Sequence, residues 1–468
     1  MVNGERSTRL RTNFSSLLSA HLLHKGCMVL IAILLARGLG SHQLGRLLSI
    51  VSFVWMFWIL IDAGLSELFI RDVATQRGLL ASYASHIVGL KARLAVAALA
   101  LMAGVAWAAR PLHGELVLVL LLGLALITES FATLFRAIFR IQERMHWEAA
   151  LWAIDGLLKV GVVSVVLLTR IPGDPLLLVG MGWLAVSVLG CSLSAWAVRR
   201  WWPSHEMTEG LKGWSVLLRR SIPLILVYGL SLLSLRGMIL LVGLFLGHTA
   251  AGYFGAGERI LEALLVIPMA LAQVMLPVSA RLGVSSVPVL QRVALRALGG
   301  LLGVGLLATI ALVVAGGTLV NLVYGAAFHP TALLMSLLGW VTLPVFLKLV
   351  LEKVLCGLHR QQAVWRWYLV VAVWNVIAAC WVIPSHGLRS AAGCLLVTES
   401  MNAVGLLWML RLALTNPQPV SGTQSLLRRT RSAGPLMPDV SVPLRSGHEA
   451  EWFAGRPKAD GGEIVGSL

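Results

Sequence analysis

The chain has 468 residues, 58% of them hydrophobic and only 13% charged, with a mean hydropathy of +0.84. A water-soluble fold of this length needs far more polar surface, so the soluble classes are excluded. The net charge of +17 does not indicate a nucleic-acid binder, because the basic residues stand singly or in small groups between apolar runs.

Residues 1–13 are polar and basic, with Arg6, Arg9 and Arg11. The apolar run that follows is too long for a leader and lacks a cleavage pattern, so it reads as a retained membrane helix. Crossing ~30 Å of hydrocarbon takes about 20 helical residues. Twelve runs qualify: 14–36, 46–70, 88–109, 116–139, 149–168, 175–198, 221–246, 256–276, 297–323, 332–355, 364–383 and 391–412. Helices are expected because lipid satisfies no backbone hydrogen bonds, and the leucine-rich runs lack the alternation of barrel strands.

Positive charge favours the cytoplasmic side of short loops. With the N-terminus inside, 26 of the 38 Lys and Arg fall on the cytoplasmic side and 6 outside. Residues 199–220 form the longest internal connection, a charged and aromatic linker expected in the cytoplasm. Composition changes after Leu412, and the Pro-, Ser-, Gly- and Arg-rich segment 413–468 reads as a disordered cytoplasmic tail. The five cysteines show no CxxC spacing and are expected as free thiols.

Two seven-residue stretches match: Leu39-Gly40-Ser41-His42-Gln43-Leu44-Gly45 and Leu246-Gly247-His248-Thr249-Ala250-Ala251-Gly252, offset by 207 residues. Each closes one apolar run and opens the next, on the outer side. The offset predicts two similar halves: a lobe over 1–198, the linker 199–220, and a second lobe over 221–412. The expected fold class is thus an all-α integral membrane protein, with about twelve transmembrane helices in two six-helix lobes around a central cavity.

Several motifs stand in order on this frame. The first span ends in Ala36-Arg37-Gly38-Leu39-Gly40. The second carries Asp62-Ala63-Gly64-Leu65-Ser66 and ends near Arg71. The second half holds Gly252, Tyr253, Phe254, Ala256 and Arg259, then Tyr324, Gly325 and Phe328. This pattern, over roughly residues 10–412, resembles the Wzx-type polysaccharide-export flippases of the multidrug, oligosaccharidyl-lipid and polysaccharide exporter superfamily. Phe254 departs from it, since the family has a second Tyr there. The resemblance implies two lobes facing a central cavity. It also implies an undecaprenyl-diphosphate-linked oligosaccharide as substrate, moved from the cytoplasmic to the outer leaflet of a bacterial inner membrane. Polysaccharide polymerase and export proteins are the implied partners besides the bilayer.

Ionisable groups inside spans are costly and usually face a cavity or a partner. His21, His24 and Lys25 fall at i, i+3 and i+4 on the first helix, where a cationic wall for a diphosphate or a side chain snorkelling to the interface are both possible readings. Arg236, in the seventh, lies one helical turn beyond the position equivalent to Lys25, and a guanidinium suits bidentate phosphate binding. Glu129 and Arg136 share a stripe of the fourth helix with Glu143. Asp155 and Lys159 are spaced to pair with each other, as are Lys348 and Glu352. The expected substrate-binding set is therefore Lys25, Arg236, His24, His21, Lys159 and Arg136. Asp62, Glu129, Asp155 and Glu399 are the candidates for coupling or gating, with Asp62 and Glu399 read as isolated carboxylates. Glu258 and Arg259 read as topology or capping residues at the start of the eighth span.

No HExxH, Walker A, GxSxG or paired-cysteine signature occurs, so neither an enzyme, a metal site, a cofactor nor an ATP-driven pump is expected. Alternatives are a drug or metabolite antiporter of the same superfamily and a lipid II flippase. The first helix offers His and Lys where such antiporters commonly carry a carboxylate, and lipid II flippases typically have two more helices. A membrane glycosyl-polymerase is disfavoured by the short outer loops.

Overall fold

The computed structural model describes residues 2–66, 69, 80–142, 144–169, 171–199 and 214–415. Most of the expected linker (200–213) and the expected tail from 416 onward lie outside the described residues, as do Arg71 and Glu143. His21 lies on a described helix, but its side chain is outside the described set. Residues Met1–Gln418 form one compact unit.

Helix is the only regular structure among the described residues. The first half comprises α1 (Val2–Met56), α2 (Trp58–Asp62), α3 (Leu80–Ala108), α4 (Leu116–Ile141), α5 (Met145–Thr169) and α6 (Pro175–Arg199). The second comprises α7 (Trp214–Leu246), α8 (His248–Leu264), α9 (Val266–Ser285), α10 (Val287–Tyr324), α11 (His329–Gly357), α12 (Gln361–His386) and α13 (Leu388–Thr415). Among the described residues, eleven helices are long and apolar enough to span a membrane, against twelve expected runs. Spans one and two run together as α1 and are divided at Gly40, with φ 80° and ψ 179°.

That backbone region is essentially restricted to glycine. Gly247 adopts it as well, with φ 86° and ψ 172°. The sequence repeat is therefore a repeated backbone turn. A second feature is repeated as well. Span two breaks at Phe57 and span eight at Leu265, both residues in right-handed helical conformation. Pro268 accounts for the second break, since its ring clashes with the carbonyl four residues earlier, that of Leu264. Span eight also starts earlier than expected. It begins at His248, so Glu258 and Arg259 lie well inside it.

Packing follows the same division. One buried cluster combines both halves near the glycine turns, including Leu44, Leu48, Val242, Ala251 and Phe254. The two other clusters draw their buried members from a single half each, residues 63–198 in one and 227–410 in the other. The halves thus share a buried core at the turn end, and they also touch further along, where Ile59 packs on Gly229 and Ile225 packs against the first-half cluster. Large apolar side chains cover the outside of the bundle; Leu168 and Trp381 are each 82% exposed, as lipid-facing residues should be.

Two buried ion pairs correct the sequence reading. Asp62 is not isolated: Lys91 Nζ donates to its carboxylate at 2.6 Å and to the Ser130 carbonyl at 3.0 Å, while the Ser66 hydroxyl donates to Asp62 at 2.6 Å. Glu399 is not isolated either, because Lys348 pairs with it at 2.7 Å and both are fully buried. Lys348 therefore does not pair with Glu352, which instead accepts from the Tyr368 hydroxyl at 2.8 Å. Contacts between neighbouring helices outweighed the i, i+4 spacing along one helix. Removing one member of a buried pair leaves an uncompensated charge, at a cost of about 3–5 kcal/mol. Lys348→Met should therefore lower the thermal midpoint of the purified protein strongly. Adding Glu399→Gln should restore most of it, and additive losses in the double variant would refute the pairing as the cause.

Candidate functional site

The two copies of the sequence repeat meet in space. Gly45 and Gly252 lie where span two crosses span eight, so close that backbone touches backbone. A methyl on Gly45 would overlap the His248 carbonyl and the Gly252 amide; one on Gly252 would overlap the Ser41 carbonyl. The rings of His42 and His248 meet edge-on beside this crossing, 5.7 Å between centroids.

Arginines fasten the same end. Arg37 donates to the carbonyls of Leu322 and, at 2.7 Å, Val323, which tethers span one to the end of α10 across the two halves. Arg46 reaches Glu115 at 2.8 Å and Asp174 at 2.6 Å, tying span two to two turns of its own half. These are arginines on the side that the charge rule leaves poor in them, and both are held by local partners. The motif residues Tyr253, Ala256, Tyr324 and Phe328 also meet here: Tyr324 donates to the Ala256 carbonyl at 3.2 Å, and Phe328 packs edge-on against Tyr253.

Beyond this closed end lies a cavity of about 350 Å³ between the halves. Of the residues expected at the site, His24, Lys25, Glu129, Lys159 and Arg236 line it. Asp155 and Arg136 stand just behind. Asp155 pairs with Lys159 at 2.9 Å, as the spacing predicted, and approaches His24 at 3.6 Å. Lys159 also reaches Glu129, at 3.3 Å. Arg136 is buried with its guanidinium over the Trp152 ring, 4.6 Å from the centroid. Asp62 and Glu399 do not reach the cavity, being held in the buried pairs of their own halves.

Sequence reasoning missed Arg259 and Glu262. Both line the cavity, and Glu262 bridges two arginines, Arg236 at 2.8 Å and Arg259 at 2.6 Å. Trp55, Trp152 and Trp183 were missed as well. A signal existed for one of them: the 207-residue offset relates Trp55 to Glu262, and both face the cavity.

The walls differ in charge. On the first-half wall, Lys159 and, behind it, Arg136 are matched by Glu129 and Asp155. On the other, Arg236 and Arg259 share the single carboxylate Glu262, and Lys25 of span one interacts with this group while forming no ion pair with a described residue. The uncompensated positive charge therefore gathers around Lys25, Arg236 and Arg259. Such a group, walled by apolar side chains at low dielectric, attracts an anion strongly. Three cations with rotatable or forked donors suit a phosphate-bearing ligand.

A helical bundle in two halves, closed at one end and lined by charges at its centre, defines a polytopic membrane protein with a transporter fold. Solved structures agree. The chain is similar to a multidrug resistance MATE family transporter of the MOP superfamily in an inward-facing conformation, with 15% identity, TM-score 0.66, and coverage of 84% of this chain and 95% of that one. It is also similar to a MOP superfamily transporter from Pyrococcus furiosus, described as having a binding pocket of reverse polarity, with 14% identity, TM-score 0.63, and coverage of 86% and 96%. An outward-facing MATE transporter matches at TM-score 0.63 and 14% identity, with coverage of 86% and 96%. No curated protein matches the sequence. The profile of the family described as "Polysaccharide biosynthesis protein" matches residues 10–283, and the chain belongs to that family.

Proposed function

We propose that this protein flips an undecaprenyl-diphosphate-linked oligosaccharide from the cytoplasmic to the outer leaflet of a bacterial inner membrane. The observation that carries the reading is the cation group Lys25, Arg236 and Arg259 in the cavity between the halves, in a chain of the polysaccharide biosynthesis family. The diphosphate binds these cations, the glycan occupies the cavity, and the lipid tail stays in the bilayer. No covalent bond changes, so none of the machinery of an enzyme is required.

The shared core at the glycine turns corresponds to a state closed on the outer side. That orientation follows the distribution of Lys and Arg, which puts both termini in the cytoplasm. Alternating access then consists of parting the Gly45–Gly252 crossing while the opposite ends close. The rocking bodies are the lobes 1–198 and 221–412, joined by the linker. Polymerase and export proteins would take the glycan on the outer side.

The test uses purified protein in proteoliposomes with a fluorescent short-chain prenyl diphosphosugar. The outer-leaflet fraction is read by chemical quenching. The expected result is transbilayer exchange well above that of empty liposomes, and reduced by Lys25→Met. Exchange equal to that of empty liposomes would sink the proposal. A second reading, a drug antiporter of the same superfamily, is supported by the fold similarity to multidrug transporters. The excess of cations in the cavity opposes cationic drugs, and export of a lipophilic cation dye without lipid exchange would decide for it.

A further inference from the structure

Glu262 already occupies the place where a phosphate would bind. Its two oxygens are used separately, Oε1 for Arg236 and Oε2 for Arg259. It also borders a second, small cavity of about 20 Å³, room for roughly one water. The same small cavity is bordered by Glu258, one turn back on α8, and by Thr342 of α11; its other walls are aliphatic. Glu258 is buried, and its Oε1 has no hydrogen-bond partner among the described residues, nor has the Thr342 hydroxyl. Glu262 is thus the member of a close carboxylate pair that two guanidinium groups neutralise.

We infer that substrate and a proton bind together, the proton going to Glu262 when a phosphate takes its place on Arg236 and Arg259. This rests on the reading that the cavity receives a diphosphate. The charges balance. One phosphate, singly negative as a diester, replaces one carboxylate on the arginine pair. The second phosphate meets Lys25, which forms no ion pair with a described residue. The released carboxylate forms an O–H bond with a proton entering from the main cavity, which Glu262 also lines.

The proton is required because of what surrounds the released group. The charged groups facing the Glu258–Glu262 pair are Arg236 of α7, Arg259 of α8, Lys25 of α1 and, towards Glu258, Glu399 of α13. Once the phosphates engage the three cations, the released Glu262 carboxylate is left beside a mostly aliphatic pocket with no cation of its own. A buried carboxylate stripped of its partners takes up a proton rather than stay charged. The loss of both guanidinium partners makes Glu262 the acceptor.

The test is calorimetric titration of the detergent-solubilised full-length protein with a short-chain prenyl diphosphosugar near pH 7, in buffers of differing ionisation enthalpy. Both phosphates of that probe are diesters without a second acidic proton, so the ligand does not titrate in this range. The expected result is uptake of about one proton per ligand, with affinity strengthening by up to about tenfold per unit fall in pH. Glu262→Gln should abolish the uptake, flatten the pH dependence and bind the probe several-fold more tightly, its internal competitor being gone. Binding by the wild type without proton uptake overturns the inference, and that arm needs no variant. Uptake that survives in Glu262→Gln overturns it as well. No binding by the wild type at any pH instead overturns the diphosphate reading beneath it.

Discussion

Alanine at Gly45 or Gly252 is expected to stop transport while leaving the protein folded and in the membrane. The added methyl would overlap a peptide group, the His248 carbonyl and Gly252 amide in one case and the Ser41 carbonyl in the other. A peptide group cannot rotate aside as the end of a long side chain can, so the two helices must part. Overpacking of this kind costs typically 1–3 kcal/mol or more, which shifts a two-state equilibrium by roughly 5- to 150-fold. The shift runs against the state joined at the turns and towards one open on that side. Cysteines at positions 42 and 248 would report it: cross-linking between them should fall and labelling from outside should rise. Normal protein levels and an unchanged gel-filtration profile separate this outcome from misfolding. Unaltered transport and labelling in Gly45→Ala would show that the crossing is not part of the moving machinery.

Arg236→Ala is expected to reduce surface polysaccharide to less than a tenth at normal protein level. Charge-assisted hydrogen bonds to a buried anion contribute roughly 1.5–3 kcal/mol, and losing one weakens binding by about 10- to 150-fold. The fold should tolerate the change, because Glu262 keeps Arg259 as a partner at 2.6 Å. Arg236→Lys should recover part of the function, retaining charge but losing the forked geometry. The double variant Arg236→Ala with Glu262→Ala should be as stable as wild type within about 1 kcal/mol yet equally defective, since what is missing is the substrate's partner rather than a structural tie. Full export by Arg236→Ala would remove the central residue of the proposed site.

The twelve spans were legible because hydrocarbon imposes a length and a composition that few residues evade. The turn at Gly40 and its copy at Gly247 were legible because a backbone conformation restricted to glycine leaves a glycine in the sequence. Lys25 and Arg236 were legible as candidates because a cation in a span calls for a reason, and both line the cavity. Arg259 and Glu262 were not. Near the predicted start of span eight, Arg259 reads as a topology or capping residue, and nothing along the chain shows that Glu262 is neutralised inside the bundle by Arg236 of another helix as well as by Arg259. Asp62 and Glu399 were misread for a related reason. Each is paired with a lysine on another helix, and pairing between helices leaves no fixed spacing along the chain.

From the sequence alone came the number of spans, the two matching halves and the expected topology, all set by local composition and by the solvent that each segment must meet. Which charges face the cavity, which are sealed in pairs within one half, and where the halves touch were decided only by the tertiary structure. Those properties depend on distances between residues far apart in the chain. Among them is the contact between Gly45 and Gly252, whose two copies of one short motif are 207 residues apart in sequence and packed backbone to backbone in the fold.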